Sequence, residues 1–485
     1  MTRGISGTLA QCQAVWDGSG EMATNRQATP QMGTVSTGLG LLTAYVCLVV
    51  GVSLNYGFYS PTGLLLVIVS FGLVASCFVW VLRDQAFDRR APQTPAFAVA
   101  LIVLLCAGLP GSPGLYLTSS VYRSLYHWWL VILGIAVALV YLVPRPELRR
   151  IRRPVVLAAV IVAFAFRIWM PIASPAPKID VFSNSQESAQ HLLQGKNPYT
   201  TPVSAVYQQQ TGQRVYTDGY AYLPGTLYLQ SASYWLTGDV RYAYVLAELI
   251  VAFSLWRLVR VRWDPSIGEL TVLLFLYNPK ALFVLEQSWV DPLILMFFAL
   301  FLVLRAYRRP LLASASFGAM VVLKEYMVVA FFQWLIIERD WKRILTALVV
   351  GTAILVPFTG PLVRYFTARG GFYSGSGGSP DSLTIFSWVY RTFGLMPPPA
   401  SALVAGLVLA AVTIVAQWGR PSLRGFTIGL TMTFLGMFLA GTSSVCNWYY
   451  LVAGFLIFAL GLGGKRPEMG LESTSESQLA GRGSL

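Results

Sequence analysis

The sequence has few charged residues and almost no histidine. Only 12% of its 485 residues are Asp, Glu, Lys or Arg, and two are histidines, whereas soluble domains carry roughly 25% charged residues. The five cysteines are scattered and form no C-x-x-C pair. We therefore expect neither a soluble globular domain, nor a disulfide framework, nor a metal site.

Common nucleotide-binding and hydrolase motifs are also missing. The patterns G-x-x-x-x-G-K-[ST], G-x-G-x-x-G, G-x-S-x-G and H-E-x-x-H do not occur. Each of them places backbone or side-chain groups for one particular chemistry. Nucleotide-driven transport, dinucleotide binding, serine hydrolysis and zinc proteolysis are therefore without support.

Long apolar runs dominate the chain, of which 55% is hydrophobic. A bilayer core of about 30 Å needs about 20 apolar residues per helix, and fewer where a helix is broken. The runs predict an all-α polytopic membrane protein with about fourteen transmembrane helices. The candidate spans are 38–55, 63–82, 95–110, 126–143, 154–173, 240–257, 268–285, 288–304, 311–323, 326–338, 344–358, 400–418, 425–441 and 447–463.

The basic residues predict the orientation. The net charge of +14 comes from short clusters between apolar runs, which fits topology and anionic membrane lipids better than nucleic acid. All clusters fall inside if the N-terminus is inside and residues 310–338 form a hairpin of two short helices. Both termini are then cytoplasmic, 1–37 and 464–485 being disordered tails, and the loops 174–239 and 359–399 lie outside.

The first outer loop carries an acidic residue close to the membrane. Asp180 follows the fifth span by about seven residues, after the prolines 171, 175 and 177, which stiffen the chain. A carboxylate fixed there could act as a general base on a hydroxyl, and an ordinary loop aspartate is the alternative. Residues 183–193 predict an amphipathic helix that ends at Gly195.

Other polar residues gather at the same outer side. Tyr220 and Tyr222 lie in a tyrosine-rich segment that predicts either interface anchors or a carbohydrate site. The 277–294 segment exposes an acid and an amide, and then Asp291, for which helix capping is the simplest role. The pair at 324–325 is either a structural ion pair or a phosphate site, and 372–394 is either a lid or a surface loop.

The order of these features resembles membrane glycosyltransferases of the GT-C class. It consists of PxxKIDVF around Asp180, GKNPY at 195–199, a Y-x-Y-L-P segment, NPK...EQSWVDPL and LKEY. The similarity is to the polyprenyl-phosphate-sugar-dependent group that includes bacterial α-mannosyltransferases. It covers 154–463 as a catalytic core and leaves four additional N-terminal helices, 38–153, unmatched.

The resemblance implies that Asp180 is the essential acid and that a sugar passes from a polyprenyl phosphate to a lipid or cell-envelope glycan acceptor. It also implies a multi-pass protein of a bacterial cytoplasmic membrane. No cofactor is expected, and no metal, because the first outer loop lacks a D-x-D or E-x-D pair. The expected substrate contacts are Lys178, Lys196, Asn197, Tyr199, Tyr220, Tyr222, Glu286, Gln287, Lys324, Glu325 and Arg391.

Three alternatives remain open: a membrane transporter or lipid-linked-glycan flippase, an enzyme that joins glycans already on lipid carriers, and a structural membrane protein. Transporters also place ionisable residues in a membrane cavity, but usually between repeated halves near the midplane. Here the polar groups gather on one side, which favours an enzyme.

Overall fold

The computed structural model describes residues 37–83, 93–206, 214–217, 219–260, 263–368, 381–395, 398 and 400–463. Apart from Thr37, the two predicted tails lie outside the described residues, and so does the Gly/Ser-rich part of the predicted lid, 369–380. The helices are α1 (Thr37–Ser53), α2 (Pro61–Arg83), α3 (Thr94–Gly108), α4 (Ser120–Val137), α5 (Pro146–Arg150), α6 (Arg152–Ala173), α7 (Asp180–Leu193), α8 (Pro224–Thr237), α9 (Tyr242–Arg260), α10 (Pro265–Leu276), α11 (Ala281–Glu286), α12 (Asp291–Ala306), α13 (Pro310–Val321), α14 (Val328–Ile337), α15 (Trp341–Leu355), α16 (Thr359–Ala368), α17 (Ile385–Phe393), α18 (Ser401–Gln417), α19 (Leu423–Leu439) and α20 (Cys446–Gly461).

The fold is all-α and membrane-embedded. Among the described residues, five helical stretches are long and apolar enough to cross a membrane, and shorter helices of 10–17 residues are also apolar. The number of fourteen crossings stays a prediction. The five long stretches are Pro61–Arg83, Ser120–Leu142, Arg152–Ala173, Tyr242–Arg260 and Trp341–Val363.

A short hairpin of strands interrupts the helical pattern. Strands β1 (Val203–Val206) and β2 (Arg214–Thr217) pair antiparallel, with Val203 opposite Thr217. The sequence prediction missed it. Glu187 of α7 accepts a 2.7 Å hydrogen bond from the backbone N–H of Ser204, so the hairpin is tied to α7, which precedes it.

One predicted span is broken into two helices. The run 268–285 was expected to be a single helix, but α10 ends at Leu276 and α11 begins at Ala281. Pro279 has no backbone N–H to continue the helix ladder, and the Asn278 side chain accepts from the N–H of Lys280 at 3.0 Å instead. The prediction of one continuous helix is therefore wrong.

The predicted hairpin at 310–338 is confirmed. Helices α13 and α14 are separated by a break at 322–324 and a 3-10 turn at Glu325–Met327. Arg305, at the end of α12, pairs with Glu338, just after α14. Helix α13 begins soon after Arg305, and α14 ends just before Glu338. The start of α13 and the end of α14 therefore lie at the same end of the bundle, and Lys324, between the two helices, lies at the opposite end.

A buried ion pair links the middle helices. Arg167 of α6 pairs with Glu248 of α9, and both side chains are almost completely buried. Tyr450 of α20 donates to Glu248 at 2.8 Å, and Arg167 donates to the Leu276 carbonyl at 2.7 Å. The polar atoms therefore satisfy one another where no water is expected.

The N-terminal helices pack into the same bundle. Helix α1 packs against α2 and α20, and α3 packs against α10. The Tyr45 hydroxyl in α1 donates to the carbonyl of Leu274 in α10 at 2.8 Å. The described residues from 37 onward form one compact unit, so α1 to α4 are part of the same helix bundle as the other helices.

Candidate functional site

Asp180 is held at the exit of α6. It is the first residue of α7 and is half-buried. Buried Arg241 fixes the chain before it by donating to the carbonyls of Ser174 at 2.7 Å and Pro171 at 3.2 Å. A carboxylate in the first turn of a helix is stabilised by the helix dipole. The start of α7 and the Arg241 contacts therefore hold Asp180 at the exit of α6.

The tyrosine-rich segment is hydrogen-bonded to α7 and to the GKNPY turn. Asn184 of α7 accepts from the N–H of Ala221 at 3.3 Å. The Tyr199 hydroxyl donates to the Tyr222 carbonyl at 2.7 Å, and the buried Tyr220 hydroxyl donates to Gln230 at 2.6 Å. Tyr199 and Tyr220 therefore support the backbone that carries Tyr222.

Helix α8 brings Tyr222 to the tip of the α13–α14 hairpin. The Thr226 hydroxyl donates to the Leu323 carbonyl at 2.9 Å. A Cβ on Gly225 would lie 2.8 Å from the Val322 carbonyl oxygen, so only glycine allows this approach. The segment and the tip are in direct contact, and the next residue of the tip is Lys324.

Lys324 lies among aromatic rings. Its side chain is 7% exposed, and its Nζ is 5.0 Å from the ring centroid of Tyr326, 5.7 Å from that of Trp448 and 5.9 Å from that of Tyr222. Within the described part of the chain Lys324 forms no ion pair. The alternative of a structural pair with Glu325 is therefore wrong, and the positive charge faces ring π-systems.

Asp291 completes this group in a role that the sequence did not predict. It is fully buried and accepts from the Tyr326 hydroxyl at 3.1 Å and the Asn447 amide at 2.9 Å. Val290, not Asp291, is the N-cap of α12, and no side-chain cap bond is present there. The expected capping role is wrong, because the carboxylate is turned toward α20 and the hairpin tip.

These side chains form one group, here called the Tyr222 cluster. Burial raises the pKa of the Tyr222 phenol well above its usual value, and the negative charges of Asp180, Asp291 and Glu325 raise it further. Tyr222 therefore stays protonated and keeps its hydroxyl as a donor within electrostatic reach of these carboxylates. The members of the cluster are Asp180, Tyr222, Asp291, Lys324, Glu325, Tyr326, Asn447 and Trp448.

Glu286 and Gln287 lie deeper than expected. Glu286 is fully buried and accepts the backbone N–H groups of Leu115 at 2.6 Å and Tyr116 at 2.9 Å. Among the described residues, the buried amide nitrogen of Gln287 has no hydrogen-bond partner. Substrate contact by these two residues stays a prediction, and the contacts of Glu286 are with the loop between α3 and α4.

The remaining predicted contacts lie outside the Tyr222 cluster. Lys178 and Lys196 are exposed, and the Asn197 side chain accepts from the N–H of Tyr199 at 3.0 Å within its own turn. Arg391 is 45% exposed, pairs with Asp381 and stands over the Tyr59 ring at 4.8 Å. Their roles as substrate contacts stay predictions.

The sequence interpretation did not single out the start of α20. Asn447 and Trp448 both enter the Tyr222 cluster. The signal available was a polar and aromatic opening, C-N-W-Y-Y at 446–450, directly after a Gly/Ser-containing turn. The start of α20 therefore has hydrogen-bonding side chains at the same end of the bundle as the other ionisable residues, which indicates that it contributes to the same site.

The arrangement joins a half-buried carboxylate, a phenol and a buried ammonium at one end of an apolar bundle. A carboxylate can accept a proton from a hydroxyl, and an ammonium can stabilise a developing negative charge. In the described ranges, no group of three or more His, Cys, Asp or Glu side chains is arranged to hold a metal ion.

Comparisons with protein-family models, with curated proteins and with solved structures found no match to this chain.

Proposed function

We propose that this protein is a membrane glycosyltransferase with a GT-C-like core, working at the outer face of a bacterial cytoplasmic membrane. It transfers a sugar from a polyprenyl-phosphate sugar to a lipid or cell-envelope glycan acceptor. The observation that carries the proposal is that Tyr222 lies within electrostatic reach of Asp180 and has the Lys324 ammonium 5.9 Å from its ring centroid, at the membrane-exit end of apolar helices. Carboxylate and ammonium are the two groups that the transfer needs.

The proposed reaction uses Asp180 for the proton of the acceptor and Lys324 for the charge of the leaving phosphate. The acceptor hydroxyl oxygen bonds to the anomeric carbon while the bond from that carbon to the phosphate oxygen breaks. The hydroxyl proton passes to the Asp180 carboxylate, which acts as general base. The electron pair of the broken bond leaves with the polyprenyl phosphate, whose added charge is stabilised by the Lys324 ammonium.

The location of the site also suits a donor with a lipid tail. Such a donor keeps its polyprenyl chain in the bilayer and its sugar at the interface, so both substrates must be oriented at the membrane surface. The Tyr222 cluster lies at the opposite end of the bundle from Arg305 and Glu338. If Arg305 faces the cytoplasm, as basic residues beside spans usually do, the cluster faces outside.

The decisive experiment is sugar transfer by the purified full chain in lipid nanodiscs. Wild type and Asp180→Asn are given a panel of radiolabelled polyprenyl-phosphate hexoses and pentoses, with bacterial lipid and envelope-glycan extracts as acceptors. We expect labelled product from wild type and none above background from Asp180→Asn. Asp340→Asn is the control, because Asp340 is 38% exposed and lies next to Glu338, at the opposite end of the bundle from the cluster.

Two results would contradict the proposal. Equal product from wild type and Asp180→Asn would remove Asp180 as the general base. Movement of the labelled donor across proteoliposome membranes without any covalent product would instead support the transporter or flippase.

A further inference from the structure

The loop between α3 and α4, residues 109–119, belongs to the N-terminal helices and reaches the exit of α6. Its base is anchored within those helices, because the His127 Nε2 lies 2.8 Å from the Gly111 carbonyl oxygen. The N–H of Ser112 donates to the Tyr56 hydroxyl at 2.6 Å. These hydrogen bonds therefore fix loop 109–119 to the N-terminal helices.

Glu286 locks the far part of this loop. Its two carboxylate oxygens accept hydrogen bonds from the N–H groups of Leu115 and Tyr116. These hydrogen bonds are charge-assisted. Gly114 makes room for that carboxylate, since a Cβ there would lie 2.5 Å from Oε1 of Glu286. A buried acid of the core thus fixes the backbone of residues 114–116.

The same loop grips the chain that leads to Asp180. The Ser174 hydroxyl donates to the Tyr116 carbonyl at 3.2 Å. Thr118 donates to the Ala173 carbonyl through both its N–H, at 2.9 Å, and its hydroxyl, at 3.0 Å. Loop 109–119 therefore lies against the segment that enters the first turn of α7.

Tyr116 lies where this loop meets the chain that leads to Asp180, since its N–H donates to Glu286 and its carbonyl accepts from the Ser174 hydroxyl. It is half-buried. Burial raises the pKa of its phenol, and the charges of Glu286 and Asp180 raise it further, so the phenol lies within electrostatic reach of both carboxylates. A tyrosine ring offers a flat apolar face, against which a sugar ring can pack.

We propose that Tyr116 is a substrate-contacting residue, whose ring packs against the sugar handled beside Asp180. This inference rests on the proposed function and extends it. It gives the four N-terminal helices a part in the site, because they supply one of its walls through loop 109–119. Neighbouring Leu115 shares the backbone lock but is exposed, and it provides a matched control.

The test compares steady-state transfer by wild type, Tyr116→Ala, Tyr116→Phe and Leu115→Ala, using the radiolabelled polyprenyl-phosphate sugar that wild type accepts. Loss of a contact made equally in the bound and transition states raises KM and leaves kcat nearly unchanged. We expect Tyr116→Ala to raise the KM for the sugar donor or the acceptor about five- to tenfold, the effect of one lost aromatic contact. Tyr116→Phe and Leu115→Ala should stay within twofold of wild type, as order-of-magnitude expectations on the same scale.

The outcomes separate this inference from the proposed function. If wild type transfers sugar, Asp180→Asn does not, and Tyr116→Ala has unchanged KM values for both substrates, Tyr116 is not a contact although the function stands. If wild type transfers no sugar from any donor, the function and this inference fail together. Should Tyr116→Ala not fold, Tyr116→Leu keeps an apolar side chain without the ring, and an unchanged KM for that variant overturns the proposal.

Discussion

The ammonium of Lys324 lies 5.0 Å from the ring centroid of Tyr326, and the hydroxyl of the same ring donates to Asp291. The tyrosine therefore stands between a buried cation and a buried anion. Because Lys324 forms no ion pair with the described residues, its charge is compensated by ring faces. Such a charge is suited to an anionic ligand that enters the site.

Lys324→Met should lower the transfer rate by about 100-fold, the usual effect of removing one preorganised group that stabilises a developing charge. Lys324→Arg keeps the charge and should retain part of the activity. The measurement is the initial rate of transfer at saturating acceptor, with Lys342→Met at the other end of the bundle as control. Equal rates for Lys324→Met and the control would remove the proposed role in phosphate stabilisation.

Asp291→Ala should destabilise the fold as well as the site. The substitution leaves the Tyr326 hydroxyl and the Asn447 amide without their acceptor, and each buried unpaired group costs about 1–3 kcal/mol. Asp291→Asn keeps one acceptor oxygen and should lose less. Thermal unfolding in detergent, followed by tryptophan fluorescence, measures both variants, and Asp381→Ala should change little since exposed ion pairs contribute about 0–1 kcal/mol.

Much of the helical arrangement could be predicted from the sequence, because local patterns determine it. Apolar runs predicted the long helices, and the requirement that all basic clusters lie inside predicted the hairpin at 310–338 that the structure has. The turn G-K-N-P also predicted the end of α7, where Gly195 adopts a positive φ of 73°. In each case the deciding residues are neighbours along the chain.

The candidate site could be predicted only in part, because its contacts are long-range. Glu286 binds the backbone of Leu115 and Tyr116, about 170 residues earlier in the chain. Asp291 looked like a helix cap, since Asn447, its partner, is 156 residues away. No periodicity or local motif records such pairs, so individual polar residues could be proposed from sequence but not their partners.

The buried ion pair of Arg167 and Glu248 should be essential for stability. Breaking such a pair leaves an uncompensated buried charge and costs about 3–5 kcal/mol, so Glu248→Ala should lower the unfolding midpoint strongly. The double variant Arg167→Met/Glu248→Met removes both charges and should recover part of the loss, as pairs replaced by apolar residues often do. A double variant less stable than Glu248→Ala would contradict this explanation. Arg391→Ala, at an exposed pair, is the control.

Transfer should persist in EDTA. The first outer loop lacks the D-x-D or E-x-D pair of metal-dependent GT-C glycosyltransferases, so the proposed chemistry depends on Asp180 and Lys324. The measurement is the rate of transfer before and after chelation, followed by addition of magnesium or manganese. Complete loss that either ion restores would show that a metal is required.

Gly114→Ala should release the loop that carries Tyr116. The added Cβ would lie 2.5 Å from Oε1 and 2.7 Å from Cδ of Glu286. The carboxylate must therefore move away from the two backbone N–H groups that donate hydrogen bonds to it. We expect faster hydrogen–deuterium exchange at Leu115 and Tyr116, together with a KM increase like that of Tyr116→Ala. Gly360→Ala is the matched control, because a Cβ at Gly360 meets no atom within 4 Å. Unchanged exchange in Gly114→Ala would mean that Glu286 does not lock the loop, whereas faster exchange with unchanged KM would mean that the loop is locked for stability and that its tyrosine does not reach the substrate.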